Sequence, residues 1–152
     1  MWMLPVSDTA VIVGEWETED RYRSKTITDK AAQYMVSEGY TVHRVRNWSS
    51  IKRTYGYTTH YTYTNAVIAN GVVVISKFGV EPEDSNAKAV FETAFPDKTI
   101  VQVDSSEIIK RLGALHCIAQ HVYDYTGGNS ITTTTTTTTT AIPGTTTTTT
   151  TS

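Results

Sequence analysis

A chain of 152 residues with a net charge of −2 is long enough for one domain with its own core. The near-neutral charge argues against nucleic acid and anionic membranes as partners, and no apolar run reaches the roughly 18 residues of a membrane-spanning helix. Residues Met1 to Leu4 meet Pro5 without the basic flank of a secretory signal. The single cysteine, Cys117, excludes an internal disulfide.

The N-terminal third predicts a β-β-α-β block. Its expected strands, helix and final strand are 1–6, 10–16, 28–36 and 41–46. The second strand, with Val11 and Val13, is apolar enough for burial on both faces. Thr28 is the expected N-cap of the helix, and Gly39 is expected to end it.

The following residues repeat this order. Strands are expected over 55–65, 66–69, 72–76, 99–103 and 114–122, and a helix over 82–95. Asn70-Gly71 predicts a tight hairpin between two of these strands, and Pro96 ends the helix. Asp104 and Glu107 have the spacing of a capping box before a short turn. Two such blocks form an internal repeat and predict an α/β or α+β fold.

A threonine-rich tail follows, so the predicted domains are 1–129 and a low-complexity tail over 130–152. The tail could be a disordered linker, an O-glycosylated coat, or an extended segment docked as a β-strand, since threonine favours strands. The candidate glycosylation sites are Thr132, Thr136, Thr140, Thr145 and Thr150.

The residues around the cysteine are Gly113-Ala114-Leu115-His116-Cys117-Ile118-Ala119-Gln120. Together with Tyr63-Thr64-Asn65, Asn70-Gly71 and Phe95-Pro96-Asp97, they resemble the C-terminal part of the agmatine deiminase and bacterial peptidyl-arginine deiminase family. The resemblance extends over 1–122. It implies a partial pentein-type β/α propeller, with about two of its five β-β-α-β units in this chain.

The resemblance also implies a chemistry. Family members hydrolyse a guanidinium group to a ureido group and ammonia through a thiouronium adduct on cysteine, with no metal or organic cofactor. Cys117 stands at the nucleophile position. A guanidinium needs a strong nucleophile, and a nearby cation favours the thiolate.

Other residues at this site are expected to differ from the family. The catalytic His-x-Asp motif of the family would end just before Met1. The family's glycine pair is replaced by Leu112-Gly113-Ala114, its Thr by Ala119 and its second Gln by His121. These changes suit a cysteine kept as a buried core residue.

The histidines and acidic residues are not expected to replace that motif. His116 has the opposite strand parity to Cys117, His121 is not expected to act as its base, and His43 cannot be placed. His60 lies among tyrosines, which predicts core packing or an interface. Glu15 and Asp84 are expected to be a surface residue or a helix cap.

Three hypotheses follow. The first is a self-assembling, filament-type extracellular or cell-surface subunit, since an incomplete ring leaves open strand edges; its partners would be itself, a chain that completes the propeller, or glycans. The second is the catalytic-cysteine half of a deiminase, which would be cytoplasmic. The third is a binding module with a guanidinium pocket and no turnover.

Overall fold

The computed structural model describes residues 1–54 and 57–122, of which 51–54 and 57 are described by their backbone. The strands are β1 Met3–Ser7, β2 Ala10–Glu15, β3 Thr41–Arg46, β4 Trp48–Thr54, β5 Tyr57–Tyr61, β6 Val67–Ala69, β7 Val72–Lys77 and β8 Thr99–Asp104. The helices are α1 Ser24–Ser37, α2 Glu83–Ala94 and the single turn α3 Leu115–Ile118, with a 3₁₀ helix at Ile108–Arg111.

The repeated β-β-α-β unit is confirmed. In the first unit β1 pairs antiparallel with β2, and β2 pairs parallel with β3 across α1. In the second unit β6 pairs antiparallel with β7, and β7 pairs parallel with β8 across α2. Two antiparallel strands need only a tight turn between them, whereas a parallel pair needs a crossover such as a helix. The same order of turn and helix therefore gives the same topology twice.

The central strand of each unit lies in the core. Ile12 and Val13 of β2 and Val73 and Ile75 of β7 have no exposed surface. Four consecutive residues of β2 are buried, as the apolar run predicts. Phe91 of α2 is also fully buried and shares one core cluster with Ile12, Val73 and Ile75. Val13 packs in a second cluster with Ala32 of α1.

The hairpin β4–β5 was not predicted as a pair, because only its second strand alternates aromatic and polar residues. Its aromatic side chains pack as expected of an aromatic face. Trp48 stacks on Tyr61 with ring centroids 5.0 Å apart, and Phe78 meets both rings edge-on. Tyr63 adds a fourth ring to this cluster.

The start of α1 differs from the prediction. The helix begins at Ser24, so Thr28 lies one turn inside it, where its hydroxyl donates to the Ser24 carbonyl at 2.9 Å. The first helical N–H groups are bound instead by two carboxylates that precede the helix. Asp20 accepts from Ser24 N, and Glu19 accepts from Lys25 N. Thr28 is therefore wrong as the N-cap, because acidic residues upstream satisfy the free N–H groups.

The turn residues were predicted more accurately. Gly39 has a φ of 86° and follows the last turn of α1, as expected of a residue that ends a helix. Asn70 has a φ of 48° and connects Ala69 to Val72, which face each other across the predicted hairpin. Helix α2 ends at Ala94, two residues before Pro96.

Two predictions near the C-terminal end of the described chain are wrong. The capping box does not form, because Asp104 accepts from Ser106 N and Glu107 pairs with Lys110. The strand over 114–122 is replaced by the helical turn α3, followed by residues without regular secondary structure up to 122. The turn forms because Cys117 N donates to Ala114 O, and Asn65 Oδ1 accepts from His116 N.

The threonine-rich tail, its glycosylation candidates, the boundary at 129 and Tyr55 lie outside the described residues. Within residues 1–54 and 57–122, no helix has the length and apolarity needed to cross a membrane.

Candidate functional site

Cys117 lies on α3, and it is exposed. The expectation of a buried core cysteine is therefore wrong. The strand that would have buried it does not form, and the helical turn holds the thiol near the surface. An exposed thiol is available to react, which a buried one is not.

Asn65 connects Cys117 to the rest of the fold. Its side-chain amide nitrogen donates to Cys117 Sγ at 3.2 Å, while its amide oxygen accepts from His116 N at 2.9 Å. Asn65 is itself buried, so the amide is held in place. A donor aimed at the sulfur stabilises the thiolate more than the thiol. The hydrogen bond from Asn65 and a second one with the backbone of Ala114 lower the pKa of Cys117, and partial burial opposes this only in part.

Gly113 approaches the same sulfur. A Cβ atom at this position would lie 3.1 Å from Cys117 Cβ and 3.2 Å from Cys117 Sγ. Any larger residue would crowd the thiol. Steric crowding of the thiol therefore explains why position 113 is a glycine.

A cavity of about 400 Å³ lies beside these residues. This volume falls in the range of roughly 300–1,000 Å³ typical of small-molecule sites. Asn65 and Gly113, which border Cys117, are part of its wall. The other lining residues are Met1, Trp2, Trp16, Tyr22, Ser24, Ile27, Thr28, His60, Thr62, Ile109 and Leu112.

His60 also lines this cavity, which differs from the expected packing among tyrosines. Its ring meets Tyr22 edge-on at 5.1 Å, and its Nδ1 lies 2.9 Å from Ser49 Oγ. Ser49 Oγ in turn donates to Asp20 at 3.1 Å. Burial lowers the pKa of His60 and outweighs the opposing charge of Asp20. Neighbouring residues in the tyrosine-rich strand point to opposite faces, so His60 lies away from the aromatic cluster.

The remaining candidates do not meet at this site. His116 contributes its backbone N–H to Asn65, and the assumption that strand parity separates it from Cys117 is wrong because the segment is helical. His43 lies on β3 and Glu15 at the exposed end of β2. His121 follows α3. Among the residues that the structure describes, no cluster of three or more His, Cys, Asp or Glu could hold a metal ion.

Asp84 is neither a surface residue nor an ordinary cap. It is fully buried, and its carboxylate accepts from Tyr63 Oη, Phe78 N and Val80 N at 2.8–2.9 Å. Its role is to join α2 to the chain before it.

Sequence reasoning did not foresee the roles of Asn65, Ser49 and Asp20. In the sequence, Asn65 stands out only as the last residue of Tyr63-Thr64-Asn65, one of the segments that carry the family resemblance. Ser49 and Asp20 stand in segments without periodicity, so no local signal identifies them.

Known proteins with a similar sequence are deiminases. The sequence model of a family described as Porphyromonas-type peptidyl-arginine deiminase matches residues 6–122. An agmatine deiminase of Ectopseudomonas mendocina is 37% identical over 59 residues, which make up 39% of this chain and 16% of that protein. One from Pseudomonas aeruginosa gives the same values.

Solved structures give the same result at the level of the fold. The agmatine deiminase of Enterococcus faecalis has a TM-score of 0.61 at 24% identity, over 78% of this chain and 38% of that one. The C. jejuni agmatine deiminase has a TM-score of 0.58 at 16% identity, over 73% and 34%. The predicted partial pentein-type fold is therefore confirmed. The chain spans about a fifth or less of the curated relatives and roughly a third of these structures.

Proposed function

This chain belongs to the Porphyromonas-type peptidyl-arginine deiminase family, and we propose that it supplies the nucleophile half of a deiminase that hydrolyses a guanidinium group to a ureido group. The observation that carries the proposal is the hydrogen bond from Asn65 Nδ2 to the exposed Cys117 sulfur. A merely structural cysteine needs neither exposure nor a donor that favours its thiolate. Both are required of a sulfur that attacks carbon.

The cavity beside Cys117 fits this role. It is of small-molecule size and has apolar walls with a few polar groups, which is the usual composition of a ligand site. Its described lining contains no carboxylate. A guanidinium is held best by paired carboxylates, so we expect these to come from sequence outside residues 1–54 and 57–122 or from another chain.

The enzyme proposal is tested by incubating the chain with agmatine or with an arginine peptide and measuring the ureido product and ammonia. Product that disappears in Cys117→Ala and persists in Ser85→Ala, an exposed control, would support the proposal. Calorimetric binding of agmatine without product would favour the binding module instead. If neither binding nor turnover is found, also after adding a chain that completes the ring, the proposal fails.

A second candidate is the self-assembling subunit. It is favoured by one face of the sheet β6-β7-β8, which we call the second sheet. Strand β8 pairs only with β7 among the described strands, and its Val101 and Val103 are 40% and 41% exposed. Half-buried Val74 lies opposite Val101. We call Val74, Val101 and Val103 the valine face. An apolar face beside an open edge is a surface for pairing with another chain.

Size-exclusion chromatography and negative-stain microscopy test this candidate. Filaments or rings are expected, and a discrete monomer at all concentrations would contradict it. Glycosylation of the tail and an extracellular location are further parts of this candidate. Intact mass spectrometry of natively produced protein would reveal hexose-spaced additions on Thr132, Thr136, Thr140, Thr145 or Thr150 if the tail is a glycosylated coat.

A further inference from the structure

A hydrogen-bonded series, Asp20–Ser49–His60, holds His60 at the wall of the cavity. Asp20 lies at one end, with Ser49 between it and the histidine, at distances of 3.1 Å and 2.9 Å. Asp20 is itself fixed by Ser24, which donates to it from both its backbone N–H and its hydroxyl. The Asp20 side chain is only 16% exposed. Asp20, the fixed end of this series, is therefore held in place and partly shielded from water.

The direction of these hydrogen bonds determines which nitrogen of His60 has the proton. A serine hydroxyl has one proton and two lone pairs. Since Ser49 donates its proton to Asp20, it can only accept from His60 Nδ1. Nδ1 must then have a hydrogen, and in the neutral ring Nε2 has a free lone pair. Burial of Asp20 would raise the pKa of its carboxyl, but hydrogen bonds from Ser24, Ser49 and Tyr22 together lower it, so the acceptor stays ionised.

One cavity connects His60 with the residues that border the thiol. His60 and Asn65 line the same 400 Å³ space, and Asn65 contacts the Cys117 sulfur. A ligand that fills the cavity would touch both walls. The His60 side chain is 34% exposed, which keeps it open to a ligand or to water.

We propose that His60 is an acid–base residue of the deiminase reaction at Cys117, with Ser49 and Asp20 as the residues that position its Nδ1 proton. The proposal rests on the function proposed above. It goes beyond it because the family resemblance implies a histidine from a His-x-Asp motif, which is absent from the described residues, and assigns nothing to His60.

The steps balance as follows. The Cys117 thiolate forms a C–S bond with the guanidinium carbon, and protonated His60 gives its Nε2 proton to the departing nitrogen. The C–N bond breaks, ammonia leaves and a thiouronium adduct remains. Neutral His60 then takes a proton from water as the water oxygen bonds to the same carbon. The C–S bond breaks, the sulfur leaves as thiolate, and the hydroxyl proton of the new ureido group passes to ammonia.

Reaction with cyanamide tests the second half of this reaction, the hydrolysis of the thiouronium adduct, in this 152-residue chain. Addition of the Cys117 thiolate to the nitrile carbon, with protons from solvent, gives a thiouronium adduct without any leaving amine. Its hydrolysis returns the free thiol and urea. Mass spectrometry follows both the gain of one cyanamide and its loss after the excess reagent is removed. The measurement needs none of the carboxylates that would bind a guanidinium.

The matched variants are His60→Gln and His43→Gln, the latter on β3 and outside the cavity lining. General acid–base groups contribute typically 10²–10⁴-fold, so we expect adduct loss to slow by about 100-fold in His60→Gln and to be unchanged in His43→Gln. Ser49→Ala should slow it to an intermediate rate, and Ser49→Thr, which keeps the hydroxyl, should restore it. Thermal melts check that each variant is folded.

The pH profile gives a readout that a purely structural histidine would not change. The charged or titratable groups that face His60 are Asp20, Arg21, Tyr22 and the Met1 amino group. Adduct loss should rise with pH through one inflection below the ordinary range of histidine, and this inflection should disappear in His60→Gln.

The outcomes separate the two proposals. If cyanamide adds to Cys117 but the adduct is lost equally fast in His60→Gln, the role of His60 is overturned and the nucleophile proposal stands. If the wild-type adduct is no less stable than the same group on a free cysteine, the role of His60 is overturned as well. If Cys117 adds cyanamide no faster than a free cysteine, the nucleophile proposal fails and the role of His60 fails with it.

Discussion

Among single residues, Asn65 has two functions that depend on different atoms. Its amide nitrogen favours the Cys117 thiolate, and its amide oxygen holds the first turn of α3 through His116 N. Orientation of the amide follows from the second contact, because a backbone N–H can only donate. The residue that shapes the turn therefore also sets the reactivity of the sulfur.

Substitution of Asn65 by aspartate separates these functions. Asn65→Asp keeps an acceptor for His116 N, removes the donor and adds a negative charge beside the sulfur. We expect the pKa of Cys117 to rise and alkylation by iodoacetamide at neutral pH to slow on the order of tenfold, since each unit of pKa changes the thiolate fraction tenfold. Alkylation rates measured from pH 5 to 10 test this. Asn86→Ala, an exposed position on α2, is the control, and an unchanged profile in Asn65→Asp would contradict the prediction.

The free energy of unfolding should depend on pH through the carboxyl group of Asp20. Its pKa is lowered from the ordinary 3.8, because hydrogen bonds from Ser24, Ser49 and Tyr22 outweigh the effect of burial. A carboxyl with a lowered folded pKa contributes stability above its unfolded pKa, and this contribution is lost as pH falls through the folded pKa.

The free energy of unfolding of wild type should therefore exceed that of Asp20→Asn by a constant amount above about pH 5. The difference should shrink as pH falls below the ordinary 3.8 of an aspartate. Urea denaturation at several pH values measures it, with Asp8→Asn in the exposed β1–β2 turn as the control. A difference that stays constant down to pH 2 would show that the charge of Asp20 is not responsible.

At the scale of elements, α2 is attached to the sheet by Asp84. Three donors from two segments converge on this buried carboxylate: the Tyr63 hydroxyl, and Phe78 N and Val80 N of the loop before α2. Gln102 of β8 adds a fourth link by donating to the Asp84 carbonyl at 2.8 Å. The second unit is thus closed by polar contacts in addition to Phe91 and Ala87.

Removal of this carboxylate leaves three donors without a partner. A buried unsatisfied donor costs about 1–3 kcal/mol, so Asp84→Ala should lower the free energy of unfolding by at least about 3 kcal/mol. Tyr63→Phe removes one hydrogen bond and should cost only about 1 kcal/mol. Chemical denaturation measures both, and exposed Asp97→Ala is the control. If Asp84→Ala and Tyr63→Phe lowered the free energy of unfolding equally, the unsatisfied donors would not be the cause.

At the scale of the whole molecule, the described residues form two β-β-α-β units with open sheet edges. The family fold is a ring, and this chain covers about a third of the solved examples. The valine face lies on the side of the second sheet opposite α2, since Val101 and Val103 alternate with Ile100 and Gln102, which face the core and α2. We expect another polypeptide, whether a copy of this chain or a different one, to cover it.

Charges placed on this face should reduce association. The double variant Val101→Lys and Val103→Lys keeps the strand backbone but puts two cations on an apolar contact, which is how natural edge strands avoid pairing. We expect the apparent mass in light scattering to fall towards that of the monomer. Thr93→Lys on the exposed side of α2 is the control. Equal association in both variants would exclude the valine face as the contact.

Elements whose signals are local could be predicted from the residues alone. The Asn70-Gly71 hairpin, the end of α1 at Gly39, the end of α2 before Pro96 and the buried strand β2 all depend on the backbone preferences or hydrophobic pattern of a few neighbouring residues. The order of these elements was sufficient to predict the repeated unit, and the residues around Cys117 were sufficient to predict the family.

The residues of the site, in contrast, come together through long-range contacts in the folded chain. Asn65 and Cys117 are 52 residues apart, and Asp20 reaches Ser49 across 29 residues. Such contacts have no periodicity by which a sequence could reveal them. The same reason explains the wrong strand over 114–122. A segment of four residues has too few internal hydrogen bonds to fix its own conformation, so the contacts with Asn65 decided that Cys117 lies on an exposed helical turn.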